Sequence, residues 1–429
     1  MAAILLSSTI FVLCLGFIFS EKLNRTIIAL TGASLMVAAG KAAGFYSEQQ
    51  AIAAIDWNTL GLLLGMMILV AMLEPTGFFQ FTAVWAGRLS HGSPVRLFIL
   101  LGSVTTVLSM FLDNVTTVVL IAPVTILICE VLGVSAVPYL IAEALLSNTG
   151  GVATLVGDPP NILIGSAANL SFNDFLVHSL PVVVLAWLAA LGLLLFLFRS
   201  ELRQPPANRN AVLKLSPSDA LDDPKSAKRI LIVVGGAVVL FFLHNLLHLT
   251  PSFVALSAAA AALLVIRPPL DDILKRVEWS VLLFFGALFV IVGGLEQAGV
   301  LERLVTMLQY SASIPPELFG VLMIWVIAGL SAVVDNVPIT IALIPVIQGL
   351  AKSGINPEPL WWALAFGAGF GGNGTIIGSS ANIVVAMLSE KTRTPITSAL
   401  WIKRGLPVMV VTCLIASLVF WFAYGWFID

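Results

Sequence analysis

The sequence predicts an all-α polytopic membrane protein: ten transmembrane helices in two inverted-topology repeats, each with a re-entrant hairpin and a broken helix. Three observations lead there. Of 429 residues, 59% are hydrophobic and only 10% charged, with a mean hydropathy of +1.04, so the chain has too little polar surface to cover a soluble globule. An Asp-Asn-Val string occurs twice inside apolar runs, as FLDNVTTVVLIAP (Phe111 to Pro123) and VDNVPITIALIP (Val334 to Pro345). Lysines and arginines also segregate along the chain as they do in the cytoplasmic loops of multi-spanning proteins.

A helix needs about 20 apolar residues to cross a bilayer. Ten segments qualify: 3–20, 26–44, 58–76, 136–165, 176–198, 229–248, 250–267, 279–298, 357–388 and 402–427. The first lacks a basic leader and a small-x-small cleavage site, so it is expected to stay in the mature protein. Segments 96–131 and 317–352 are too long for one ordinary helix and short for two spans, and each carries its Asp-Asn near the middle. They are predicted to be re-entrant hairpins. With both segments re-entrant, every one of the 21 lysines and arginines except Lys41, Arg303 and Lys352 falls on one side; single crossings would spread them far more evenly. The crowded side is the cytoplasmic one, which puts the protein in the cell inner membrane with both termini outside the cytoplasm.

The repeat extends past the aspartates. Asp56-Trp57 matches Glu278-Trp279, Glu74 with Gly77 matches Glu296 with Gly299, and Asp113-Asn114 matches Asp335-Asn336, all at one separation. At one residue less, GGVATLVGDPPN (Gly150 to Asn161) matches GGNGTIIGSSAN (Gly371 to Asn382). Each half then holds five crossings and one hairpin, and an odd number of crossings inverts the second half. The predicted units are a first repeat over 1–198, a polar, proline-bearing cytoplasmic linker over 199–228 and a second repeat over 229–429.

Backbone leaves the helix at membrane depth only where it is buried in protein or lines a cavity. The Gly-Gly pairs Gly150-Gly151 and Gly371-Gly372, with Asp158-Pro159-Pro160, predict breaks in segments 136–165 and 357–388, whose bare N–H and carbonyl groups suit a small polar solute or ion. Two hairpin tips and two broken helices meeting there would supply Asp113, Asn114, Thr116, Thr117, Asn148, Thr149, Thr154, Asp158 and Asn161 from one half. The other half adds Asp335, Asn336, Thr340, Asn373, Thr375, Ser379 and Asn382. Any single Thr, Ser or Asn can equally be a tie between helices, worth about 0.6 kcal/mol. The aspartates resist that reading, because a charge at mid-bilayer costs on the order of 2.5 to 3.5 kcal/mol.

No lysine or arginine falls in these elements, which favours a cation, a proton or a neutral oxygen-rich solute over a di- or tricarboxylate. Cys14, Cys129 and Cys413 lie far apart without metal-ligand spacing and read as packing residues. No metal, cofactor or nucleic-acid partner is expected.

The strings FLDNVTTVVLIAPVT and IAEALLSNTGGVATLVGDPPNILIG closely resemble the ArsB/NhaD group of the ion transporter superfamily, in particular ArsB-like permeases related to the melanosomal P protein. The resemblance spans nearly the whole chain. It implies a secondary transporter with inverted repeats, hairpins and broken helices, and it implies arsenite or antimonite as solute, sodium against protons, or an anion-related role. Some such permeases run on the proton gradient alone; others dock a soluble ATPase, here on the cytoplasmic face, and a homodimer fits the group as well. The leading expectation is proton-coupled export of arsenite and antimonite, with a sodium/proton antiporter as the alternative. An intramembrane aspartyl protease is a distant third, since the chain has no Gly-x-Gly-Asp.

Overall fold

The computed structural model describes residues 1–19, 23–209, 211–300, 314–390, 392 and 394–428. Lys22, Arg303, Lys391 and Arg393, which enter the sidedness argument, lie outside them. Every regular element among the described residues is helical.

In the first half the main helices are α1 (Ala2–Phe19), α2 (Arg25–Ala43), α3 (Trp57–Leu73), α4 (Phe78–Leu89), α5 (Pro94–Ser109), α6 (Asn114–Leu132), α7 (Val137–Gly151), α8 (Pro159–Ala168) and α9 (Leu180–Leu197). The second half holds α10 (Pro224–Leu243), α11 (Pro251–Ile266), α12 (Trp279–Gln297), α13 (Pro316–Val333), α14 (Asn336–Lys352), α15 (Glu358–Gly371), α16 (Ser380–Ser389) and α17 (Ser398–Phe422). Among the described residues, eight helices are long and apolar enough to cross a membrane, against ten spans predicted. The difference is one of length. The apolar runs of α1 and α11 fall short, and segments 136–165 and 357–388 are each split into two helices. Conversely α6 and α13, arms of the predicted hairpins, qualify.

The hairpin reading of 96–131 has direct geometric support. Asn208 N–H donates to the Leu132 carbonyl (3.2 Å) and Arg209 Nε to the His91 carbonyl (3.2 Å), so adjacent linker residues hold both ends of the segment. Asp223 N–H also donates to the Thr76 carbonyl (3.2 Å). The ends of α3, α5 and α6 thus lie on one face with the linker, and α5–α6 returns to the face it started from. The helix α4 between them is too short at 12 residues to read as a span; it buries Phe79, Ala83, Ala86 and Gly87 and leaves Trp85 and Leu89 exposed.

Helix pairing falls into two groups. In the first, α2 packs on α12 and α3 on α11, flanked by α1 and α10. In the second, α5 packs on α7, α13 on α15, α6 on α16, α8 on α14 and α9 on α17. The same hydrogen bonds recur in both halves. Ser109 Oγ donates to the Ser147 carbonyl (2.9 Å) and Ser331 Oγ to the Ala368 carbonyl (2.7 Å). Thr154 caps the Met110 carbonyl as Thr375 caps that of Ala332. Asn161 donates to the carbonyls of Gly151 and Thr154, and Asn382 to those of Gly372 and Thr375. The serine and threonine bonds fasten each hairpin to the broken helix beside it, and the asparagine bonds take up backbone carbonyls that the breaks leave free.

Candidate functional site

Both helix breaks occur where predicted: α7 ends at Gly151 and α8 begins at Pro159, while α15 ends at Gly371 and α16 begins at Ser380. The role of the glycines differs from the expectation that they break the helix. Gly150 and Gly371 are still helical. A Cβ on Gly150 would lie 2.6 Å from Thr106 Cγ2, and one on Gly371 would lie 2.6 Å from both Cα and O of Ala328. They let α7 and α15 close on α5 and α13. In the breaks themselves, Gly151 faces the Gly157 carbonyl and Gly372 that of Gly378, and a Cβ at either would stand 2.9 Å from it.

Four helix N-termini converge on one cavity of about 190 Å³. Asp113, Asp158, Asp335 and Ser379 are the N-cap residues of α6, α8, α14 and α16, and all four line it. Each N-terminus carries roughly half a positive charge, which offsets part of the negative charge of the aspartates. Asp113 accepts from Thr116 N–H (2.8 Å) and from the Thr116 hydroxyl. Asp335 accepts from Val337 N–H (3.2 Å) and Ser380 Oγ (2.6 Å). Asp158 makes no side-chain cap and instead accepts from Asn336 Nδ2 (3.0 Å), which joins the two halves across the cavity.

Behind the cavity, Asn148 is a four-way junction. Its Oδ1 accepts from Asn114 Nδ2 (3.0 Å) and Ser379 Oγ (3.1 Å), while its Nδ2 donates to Asn373 Oδ1 (3.1 Å) and Asn382 Oδ1 (2.9 Å). Asn373 in turn donates to Thr149 Oγ1 (3.2 Å). All four valences of the Asn148 amide are used, so it locks the first hairpin tip to both broken helices and has no bond left for a solute. The hydroxyls of Thr117, Thr149, Thr154, Thr340 and Thr375 donate to main-chain carbonyls. The predicted set therefore divides. Asp113, Asn114, Thr116, Asp158, Asp335, Asn336 and Ser379 line the cavity; the others brace it.

Sequence reasoning missed four charged residues at the same cavity, Arg25, Glu74, Arg276 and Glu278. Arg25 Nη1 lies 3.0 Å from Asp335 Oδ2, and Arg276 Nη1 lies 2.9 Å from Glu74 Oε1. The expectation that no arginine reaches the site is thus corrected: both begin or precede helices of the first group and line the cavity from outside the predicted elements. Glu278 had a legible signal. Its repeat partner Asp56 caps α3 through Asn58 and Thr59 N–H (3.0 and 3.2 Å), whereas Glu278, one methylene longer, makes no cap on α12 and lies 3.4 Å from Thr116 Oγ1.

Comparison with known proteins bears on what this arrangement belongs to. The family described as citrate transporter matches residues 15–367. The chain belongs to the citrate transporter family. It is 40% identical over 437 residues to an uncharacterized transporter of Mycobacterium tuberculosis, covering 98% of this chain and 99% of that one. The human P protein is 34% identical over 481 residues, covering 93% of this chain and 57% of the longer protein, in keeping with the expected relationship. The crystal structure of the YdaH transporter of Alcanivorax borkumensis superposes with a TM-score of 0.63 at 16% identity, covering 100% and 99% of the two chains; this likeness extends to the fold alone. This citrate transporter family member is a multi-pass membrane transporter.

Proposed function

We propose that the protein is a proton-coupled secondary transporter that exports a small oxygen-rich solute, arsenite or antimonite, across the cytoplasmic membrane. The observation that carries this reading is the convergence of four helix N-termini and three N-cap aspartates on one cavity. N–H groups, Asn336 and Ser379 suit the oxygens of an uncharged trihydroxide, and carboxylates beside them suit a proton that moves in exchange. Both arginines at the cavity already face carboxylates, so a neutral solute fits without a further counter-charge. A second reading, a carboxylate solute such as citrate, is favoured by those same arginines and by the family description; the carboxylates would then have to take up protons or a cation first.

Proteoliposomes carrying a pH-sensitive dye and challenged with arsenite, antimonite, citrate or sodium test the proposal. Proton movement with arsenite or antimonite is the expected result. Movement with citrate alone selects the second reading, and movement with sodium alone makes the protein a sodium/proton antiporter.

Thiols bind arsenite tightly, yet the three cysteines are buried on α1, α6 and α17 and none lines the cavity. A variant with Cys14, Cys129 and Cys413 all replaced by serine or alanine is expected to give a sensitive host the same arsenite resistance as the wild type. Resistance lost only in this variant, with its membrane level unchanged, would place the solute on a thiol.

The proposed topology puts the linker in the cytoplasm and both termini outside it. In the cysteine-free background, Gln49→Cys is expected to label from outside and Ser216→Cys from the cytoplasm, since three crossings separate them when 96–131 is re-entrant. Labelling of both from one side would mean that the segment crosses.

A further inference from the structure

The two hairpin aspartates occupy matched positions of the repeat, yet their surroundings differ in charge. Asp113 meets Thr116 at its own helix start, with Glu278 beyond that hydroxyl. Asp335 meets a guanidinium. Arg25, the first residue of α2, places Nη1 3.0 Å from Asp335 Oδ2 and 2.9 Å from Ser380 Oγ. Ser380 Oγ donates to the same Oδ2 at 2.6 Å. The guanidinium also lies 5.5 Å from the centroid of the Phe284 ring on α12, a cation–π contact that holds it from the side of its own helix group. The corresponding helix of the other half, α11, opens on Pro251 and offers no cation.

This contact joins two bodies. Arg25 and Phe284 sit on α2 and α12, which pack on each other in the first helix group; Asp335 and Ser380 sit on α14 and α16 of the second. Secondary transporters with such repeats work by moving one bundle against another around the site. A polar tie between the groups that ends on a site carboxylate must be broken or kept according to what that carboxylate holds.

We infer that Arg25 is a tethered competitor for Asp335: its guanidinium occupies the carboxylate while no proton does, latching the two helix groups, and is released when Asp335 is protonated. Asp113 and Asp335 are then unequal partners despite the repeat. Asp335 senses occupancy through Arg25, and Asp113 remains open to the cavity. The other charged groups that face this cavity are Asp113, Asp158, Glu278, Glu74 and Arg276. The first four are acidic and Arg276 is engaged with Glu74, so Arg25 is the cation that meets Asp335. The inference deepens the proton-coupled reading and rests on it only for the meaning of release.

The test needs no solute. A hydrophobic carbodiimide modifies protonated carboxyls, and peptide mass spectrometry resolves which one. In the full-length protein in liposomes at neutral pH, Arg25→Gln is expected to raise modification of Asp335 about tenfold, since a neighbouring arginine disfavours the protonated acid by that order or more. Asp113, Asp158 and Glu278 should change little. Arg25→Lys, which keeps the charge, should stay within about twofold of wild type, and Ser380→Ala, which leaves Arg25 in place, should give an intermediate rise. Unchanged Asp335 modification in Arg25→Gln, or an equal rise at all four carboxyls, would overturn the latch. If Arg25→Gln does not insert, the Ser380→Ala and Arg25→Lys pair decides it: a rise in Arg25→Lys as large as in Ser380→Ala refutes a role for the charge. Because no flux is measured, the latch and the arsenite reading can fail separately.

Discussion

Asp113→Asn and Asp335→Asn are each expected to insert and fold as the wild type does and to lose transport. The substitution separates the capping seen in the structure from the proton-carrying role proposed for the same side chain. Both aspartates are N-caps, of α6 and α14, and replacing such a cap by alanine costs about 1 kcal/mol. Asparagine caps about as well as aspartate, so Asp113→Asn keeps an oxygen for Thr116 N–H and Asp335→Asn one for Val337 N–H. What goes is the charge and the ability to take a proton. Solute flux and coupled proton movement per reconstituted molecule, measured beside a size-exclusion profile, check both halves of the expectation. Turnover within about twofold of wild type in both variants would reduce the aspartates to caps.

The second large effect is steric. Gly371→Leu is expected to unfold the centre of the second half or prevent its assembly, at a cost of about 3 kcal/mol or more. The first atom of any side chain there would stand 2.6 Å from the Ala328 Cα and carbonyl oxygen. Those are main-chain atoms of α13 and have no rotamer to give way. Gly150→Leu meets a side-chain atom, Thr106 Cγ2, at 2.6 Å before the Thr106 carbonyl at 3.0 Å, so it should be the milder of the pair. Yield and thermal stability of the purified variants rank them. Equal tolerance of leucine at both sites would show that the tight helix contacts are not as drawn.

Much of this protein could be read from its sequence because the signals are local or periodic. Long apolar runs dictate helices in lipid, since no other arrangement of a single chain segment satisfies its backbone there. A polar Asp-Asn inside such a run must turn away from lipid, and its recurrence beside the duplicated Gly-Gly strings marked both helix junctions at the aspartates and both breaks. The asymmetries were equally visible as letters, Asp158 against Ser379 and Asp56 against Glu278, although their meaning was not.

What the tertiary structure decided is everything that depends on which helices touch. Arg25 reads as one more cytoplasmic charge until α2 is seen packed on α12 with its first residue against Asp335, far away in the chain. Asn148 reads as a solute ligand until its four partners from α6, α16 and the break between α15 and α16 are counted. The glycine pairs read as helix breakers until α13 is found against Gly371. Spacing along a chain fixes which residues share a helix and a face; it carries no record of the neighbour that face will meet. In this protein the charge balance of the cavity is set by such neighbours.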